Sequence, residues 1–570
     1  MHHPALMQAI ADALRAHTEL ALFLAVAAGQ ALGRLRLGSV RMNPVLATLL
    51  VGILVGQLGL VIPLAMQYTF FVLFLFSVGF KSGPQFFRTL GPGAVPHVVL
   101  TILLAALSVG VAVWGAHLVG LDAGGSAGLL AGGMSSSTAV GTAGDAITRL
   151  SIGEDARHAL QSNLSVVYSL AYICGFITEL IVLTRVAPWL MRVNLAEECR
   201  KLEKAMGVER TPTGVFSAHR EAAVRAYRIP EGFPVRSAVE LERMFAPARV
   251  FVERIRRGTG IVDAEWNAPI DPGDLVALTG RHEVLVEPEN PLRAHETDDR
   301  ELLDIPAVIA EVVVTGRWPA GRTLGDLIAE NRETPALRSV FIRSITRAGE
   351  SIPMGPGTVP ERGDVISLAG PPSSVSQAAA LFGRVEWPSV TTDLISVALA
   401  IAVGGLIGIP TLLLFGIHIG LSVPVGVLLA GLVVGWLRSV RPVFGRIPEP
   451  ALWVFDTMGL SGFIAIIGIN AGPGFVKGFL SLGPAILLAS VAIRIIPNVV
   501  TLFVGRKLFR LHPGILLGIL AGAGCSSAGL AALKEDTQSE VPTLGYGMAY
   551  ALANVLLGLG ATILVTLLSR

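Results

Sequence analysis

Charge is scarce in this chain: only 15% of its 570 residues are Asp, Glu, Lys or Arg, against 52% hydrophobic, which excludes an ordinary soluble globular protein. Cysteine is scarcer still. Cys174, Cys199 and Cys525 have neither the spacing of a metal site nor that of a disulfide framework. No H-E-x-x-H, G-x-S-x-G or paired-cysteine pattern occurs, and the serines at 135 to 137 lack a nearby His base, which argues against a membrane enzyme and against any cofactor. A TVGYG-like selectivity filter is missing too, which weighs against a channel. The net charge of +2 gives no argument for nucleic acid.

What charge there is crowds into roughly residues 193 to 390, between two apolar blocks. The expected organisation is a membrane half at 1–192, a charged linker at 193–224, two small α+β units at 225–290 and 300–388, and a second membrane half at 389–570. Apolar runs long enough for about 30 Å of hydrocarbon fall near 18–34, 44–63, 65–80, 94–118 and 159–184, then near 391–413, 418–437, 449–469, 482–504 and 543–568. LALFLAVAAGQALG near the start lacks the basic region of a signal peptide and reads as the first span.

Basic residues orient these spans. In the first half they follow the first, third and fifth runs (Arg34, Arg36 and Arg41; Lys81 and Arg88; Arg185 and Arg192). In the second half they follow the second and fourth (Arg438, Arg441 and Arg446; Arg506, Lys507 and Arg510). Both termini are expected outside and the inserted units in the cytoplasm. The halves then become inverted repeats. Short matches support the duplication: VGFKSGPQFF at 78–87 against IGINAGPGFV at 467–476, with Gly83-Pro84 and Gly472-Pro473 read as equivalent helix stops.

The most informative repeat is GLLAGGMSSSTAVGTAGDA, from Gly128, against GILAGAGCSSAGLAAL, from Gly518. Aligned without a gap, Gly132 meets Gly522, Ser136 meets Ser526 and Ser137 meets Ser527. Small and hydroxyl residues this dense suit backbone that leaves the helix and lines a polar cavity, or close helix packing; the duplication favours the cavity. Each stretch should enter and leave the membrane on one side, as a re-entrant hairpin. Ser135, Ser136, Ser137, Thr138, Ser526 and Ser527 are then candidates to hold carboxylate oxygens, helped by helix N-termini.

Ionisable residues in the spans are the remaining candidates. Arg494, in LLASVAIRIIPNVVTLF, is expected to grip a carboxylate bidentately, or else to pair with an acid such as Asp456. Asp145 and Asp456 either bind a coupling cation or substrate ammonium, or serve in a cap or an ion pair. Glu179 reads as a structural partner of Arg185, and Lys81 as an interface anchor. Asn498 and Asn554 donate to a polar solute or tie helices together. Lys534, Glu535 and Asp536 read mainly as a solvated loop.

Within the inserted segment, ARVFVERIRRGTGIVDAEWNAPIDPGDLVALTG at 248–280 matches LRSVFIRSITRAGESIPMGPGTVPERGDVISLAG ending at 370. SAVELERMF and TLGDLIAE carry the helical period in the two copies. With their endings GDLVALTG and GDVISLAG, both units resemble the TrkA-C, or RCK C-terminal, domain. No G-x-G-x-x-G fingerprint marks the nucleotide-binding partner domain of that family. That resemblance implies either a small regulatory ligand or a spacer, and it supplies the rival expectation of a ligand-gated ion channel.

The full layout, with its duplicated hydrophobic domain, tandem TrkA-C-like units and the motifs GGMSSSTAVG and GAGCSSAGLAAL, resembles the aspartate:alanine exchangers. These bacterial secondary carriers include dicarboxylate exporters. The resemblance implies exchange of aspartate for alanine across the bacterial inner membrane by a homodimer, with succinate-type export as the neighbouring expectation.

Overall fold

The computed structural model of the protein describes residues 12–569 apart from 38–39, 42, 89–90, 209–221, 247, 249, 266, 288–289, 306–307, 316–321, 331–339, 387–391, 415–416, 421 and 441–446. Arg441, Arg446 and much of the expected linker lie outside the described residues. Two compact units emerge: Met1–Leu202, Arg347–Ile352 and Ser389–Arg570 form one, and Glu203–Thr346 with Pro353–Pro388 the other. Among the described residues, six helices are long and apolar enough to cross a membrane. The chain is a polytopic helical membrane protein.

The first block of helices runs α1 (Thr18–Gly33), α2 (Pro44–Gly56), α3 (Leu64–Arg88), α4 (Val95–Val119), α5 (Ala123–Gly133), α6 (Ser137–Thr148), α7 (Glu154–Ile181) and α8 (Leu195–Ala205). The second runs α9 (Leu394–Gly408), α10 (Val423–Val440), α11 (Glu449–Lys507), α12 (Pro513–Ala523), α13 (Ser527–Thr537) and α14 (Thr543–Leu568). Their boundaries have local causes. Asn43 accepts the Val45 N–H at 2.7 Å with Pro44 in the first turn of α2, and Gly120 at φ 76° closes α4. The expected charged linker contains α8, because Leu195, Cys199 and Glu203 fall four apart and form its buried face.

One expected stop is absent: α3 runs through Gly83-Pro84, while α11 keeps helical backbone through Pro473, Pro484 and Pro497. A proline removes one intrahelical bond, and packed neighbours re-satisfy the freed carbonyl, so it bends a membrane helix more often than it ends one. A straight helix of 59 residues would measure ~90 Å, and α11 instead doubles back. Asp456 pairs with Lys81 near the end of α3, and Asn470 accepts the Ile62 N–H at 2.9 Å just before α3 begins. Ala489 then meets Gly115 late in α4, and Gly505 packs beside Leu100 early in it. Both ends of α11 therefore lie near the α3–α4 connection, and its proline- and glycine-rich middle lies at the far end.

The α5–α6 and α12–α13 hairpins share one local geometry. In each, a residue at positive φ breaks the helix, Ser135 at 49° and Cys525 at 55°. The next serine caps the following helix: Ser136 accepts the Ala139 N–H at 3.2 Å and Ser526 the Gly529 N–H at 2.9 Å. The closing bonds match as well, Ser136 N–H to Ala131 and Ser526 N–H to Ala521. Glycine is required on the packed face, because a Cβ on Gly132 would lie 2.5 Å from the Tyr168 carbonyl oxygen and one on Gly522 2.4 Å from that of Tyr546. That spacing seats α5 along α7 and α12 along α14.

The inserted segment folds as paired α+β repeats. Strands β1 (Ala222–Arg228), β2 (Val250–Arg257), β3 (Gly260–Asp263), β4 (Leu275–Arg281) and β5 (Glu296–Thr297) form a sheet ordered β3-β2-β4-β1-β5. Strands β6 (Val308–Val314), β7 (Phe341–Arg347), β8 (Glu350–Ser351), β9 (Val365–Gly370) and β10 (Gly383–Glu386) form a second, ordered β8-β7-β9-β6-β10. The topologies correspond strand for strand. The repeated Gly-Asp explains the turn before the third long strand: Asp274 accepts the Asp271 N–H and Asp364 the Glu361 N–H, both three residues back. Helices Ala238–Arg243 and Leu324–Glu330 stand where the two apolar periods predict them.

Candidate functional site

A cavity of about 570 Å³ opens within the helical unit where the two broken hairpins converge. Five of the six hydroxyl candidates, Ser135, Ser137, Thr138, Ser526 and Ser527, line it. Ser136 lies one residue away, buried, and is spent on capping α6. Because α6 and α13 begin at these serines, two helix N-termini, whose first-turn N–H groups have no acceptor within their own helix, border the cavity. The Ser135 hydroxyl is buried with no protein partner among the described residues. Such a site suits an anionic oxygen.

The hairpins are held by the opposite halves of the chain. Thr138 donates to the Asn554 side-chain oxygen at 2.6 Å and Thr142 to the Gly558 carbonyl at 3.0 Å, which ties α6 to α14. The break before α13 lies instead against α7, with Glu179 beside Gly524 and Gly529. The exits of the two hairpins meet opposite ends of α7: Arg157, near its start, donates to the Leu150 carbonyl just after α6, and Asp536, ending α13, pairs at 3.6 Å with Arg185 just past the α7 C-terminus.

Three charged candidates, Arg494, Asp456 and Asp145, are held in ion pairs. Arg494 is not on the cavity wall; it is fully enclosed, paired at 3.1 Å with Glu179 and donating to the Met134 carbonyl at the first hairpin break. Its acidic partner is therefore Glu179 rather than Asp456, and Glu179 does not pair with Arg185. Asp456 pairs at 2.8 Å with Lys81, and both side chains line the cavity. Asp145 pairs at 2.9 Å with Arg149 four residues on, near the α6 exit. Lys534, Glu535 and Asp536 belong to α13 rather than to a loop, with Lys534 paired to Glu540 at 2.7 Å. Asn498 bonds back to the Arg494 carbonyl inside its own helix.

Sequence reasoning passes over Tyr172 and Tyr550, which also line the cavity. A signal for them exists: YSLAY at 168–172 on α7 and YGMAY at 546–550 on α14 place two tyrosines at the same spacing beside each hairpin. Among the described residues no cluster of ligating side chains could hold a metal ion.

A polytopic bundle with a polar, charge-bearing cavity at the meeting of two broken hairpins defines a membrane transporter. Residues 21–188 and 396–566 match the family described as a predicted permease membrane region (Asp-Al_Ex), and the chain belongs to that family. It is similar to an uncharacterized transporter of Bradyrhizobium diazoefficiens, 36% identical over 89% of this chain and 98% of the relative. One from Shewanella oneidensis is 33% identical over 98% and 99%, and one from Bordetella parapertussis 35% over 98% of each. No solved structure matches.

Proposed function

We propose that the protein is a secondary active exchanger that trades aspartate for alanine across the bacterial inner membrane by alternating access. The observation that carries this reading is the convergence of two broken hairpins, each bearing a capping serine and an open helix N-terminus, on one cavity. Their exits at opposite ends of α7 support two inverted repeats with hairpins entering from opposite faces, the arrangement that sets a solute site between halves. The doubled-back α11 supports five crossings in the second half, which matches the first.

In this reading the chain starts and ends outside the cell, and the paired α+β units are cytoplasmic TrkA-C domains that answer a small ligand. The working form is a homodimer in the lipid bilayer. Carboxylate oxygens of the solute sit on the hydroxyls of Ser135, Ser137 and Ser527 and on the amides beside them. The test is uptake of labelled aspartate by proteoliposomes preloaded with alanine, with succinate-loaded and empty vesicles alongside. Uptake driven by internal alanine supports the exchange. Uptake that follows succinate alone moves the protein to dicarboxylate export, and single-channel currents without counterflow would replace the carrier with a ligand-gated channel.

A further inference from the structure

Among the described residues three ion pairs join the halves of the helical unit; Arg185–Asp536 lies at its surface, and the other two differ in one respect. Glu179 and Arg494 are sealed, at 2% and 0% side-chain exposure, whereas Lys81 and Asp456 retain 24% and 33% and both face the cavity. A partly solvated pair is weak and opens at small cost. Lys81 lies on α3 and Asp456 on α11, so the pair also joins the two halves of the chain. The Ser77 hydroxyl lies 3.3 Å from the second Asp456 oxygen and 3.1 Å from the Phe74 carbonyl, so its one proton turns to the carboxylate when Lys81 leaves it.

We propose that Lys81 and Asp456 are the charge-recognition residues for a zwitterionic α-amino acid, whose carboxylate takes Lys81 and whose ammonium takes Asp456. The exchange of partners conserves charge: one internal pair opens and two pairs to the solute form, so no unpaired charge is left in the cavity. A dicarboxylate has nothing to offer Asp456 and leaves that carboxylate facing like charge. Alanine needs this pair alone, while the second carboxylate of aspartate falls to the hairpin hydroxyls and helix N-termini. Among the described lining residues the other acids are Glu449, which is exposed, and Glu350, which pairs with Lys534 at 3.1 Å.

This assignment rests on the transporter reading, and counterflow separates the two. Proteoliposomes of the wild type, Asp456→Asn, Lys81→Gln, the neutral double variant K81Q/D456N and the charge-keeping Asp456→Glu are loaded with unlabelled alanine, aspartate or succinate and given the same labelled solute outside. Asp456→Asn is expected to lower alanine counterflow at least about tenfold more than succinate counterflow. The double variant, which leaves no orphan charge, should show the same change of ratio, and Asp456→Glu should keep the preference for alanine. Parallel loss of all three solutes in variants that elute monodisperse would make the pair structural and overturn the assignment. So would an unchanged ratio in Asp456→Asn, or a wild type that carries succinate and not alanine, an outcome that leaves the carrier standing. A wild type that moves none of the three overturns the carrier and the assignment together.

Discussion

Arg494 and Glu179, set far apart in sequence, form an ion pair of 3.1 Å between the two hairpin breaks, closed off from solvent. The guanidinium holds the Met134 carbonyl at the first break, and the carboxylate lies against Gly524 at the second. Removing one partner of such a pair leaves a bare charge in a low dielectric and costs about 3–5 kcal/mol, whereas replacing both with apolar groups is close to neutral. Arg494→Leu and Glu179→Leu alone should therefore shorten survival on heating in detergent, measured as the monodisperse fraction. The double variant R494L/E179L should regain most of the loss. A stable double variant whose single parents are equally stable would refute the pairing, and one that is stable but inactive would return Arg494 to the solute.

The glycines on the packed face of each hairpin give a second expectation. Gly132→Ala and Gly522→Ala push a methyl to within 2.5 Å and 2.4 Å of backbone oxygens on α7 and α14, which only a shift of a whole helix relieves. Overpacking of this kind costs about 1–3 kcal/mol. Gly144→Ala is the control, since its Cβ would meet only Leu164 at 3.8 Å and alanine favours a helix interior by about 1 kcal/mol. Thermal survival should fall for the first two and hold or rise for the third.

Serine at the breaks serves two ends that substitution can divide. Ser136→Ala and Ser526→Ala remove a cap and should lower stability by about 1 kcal/mol each, with most of it restored by Ser136→Gly and Ser526→Gly. Ser135 and Cys525 sit at positive φ, where Ser135→Gly and Cys525→Gly should fold normally and a β-branched residue should not. Loss of counterflow in a stable Ser135→Gly would then report the missing hydroxyl rather than a damaged turn.

Much of the scaffold was legible because it is written locally. The hairpins declare themselves in two runs of small and hydroxyl residues, and the sheet repeats in GDLVALTG and GDVISLAG, each a short pattern with a short-range cause. The charge partners were not legible. Lys81 and Asp456 come from opposite halves of the chain, and whether Lys81 reaches the interface or a cavity depends on how α3 packs against α11, which no window of sequence contains. Arg494 looks alike whether a solute or Glu179 faces it. Pro84 misled for a related reason: the helix it interrupts is kept by neighbours supplied from elsewhere in the fold, whereas Pro473 falls in the stretch where α11 turns back.

Orientation supplies the last expectation, and it can be read without any substrate. His158, near the start of α7, and Glu535, near the end of α13, are both exposed. If the two hairpins enter from opposite faces and the α+β units are cytoplasmic, His158 faces the periplasm and Glu535 the cytoplasm. Cysteine placed at each position, in a chain whose Cys174, Cys199 and Cys525 have been replaced by alanine, is offered a membrane-impermeant maleimide on spheroplasts. His158→Cys should label at once, and Glu535→Cys only after the membrane is opened. The reverse pattern would invert the whole chain and put the α+β units outside. Labelling of both from one face would end the inverted-repeat reading, because the exits of α6 and α13 would no longer lie across the bilayer from each other, whatever solute the cavity holds.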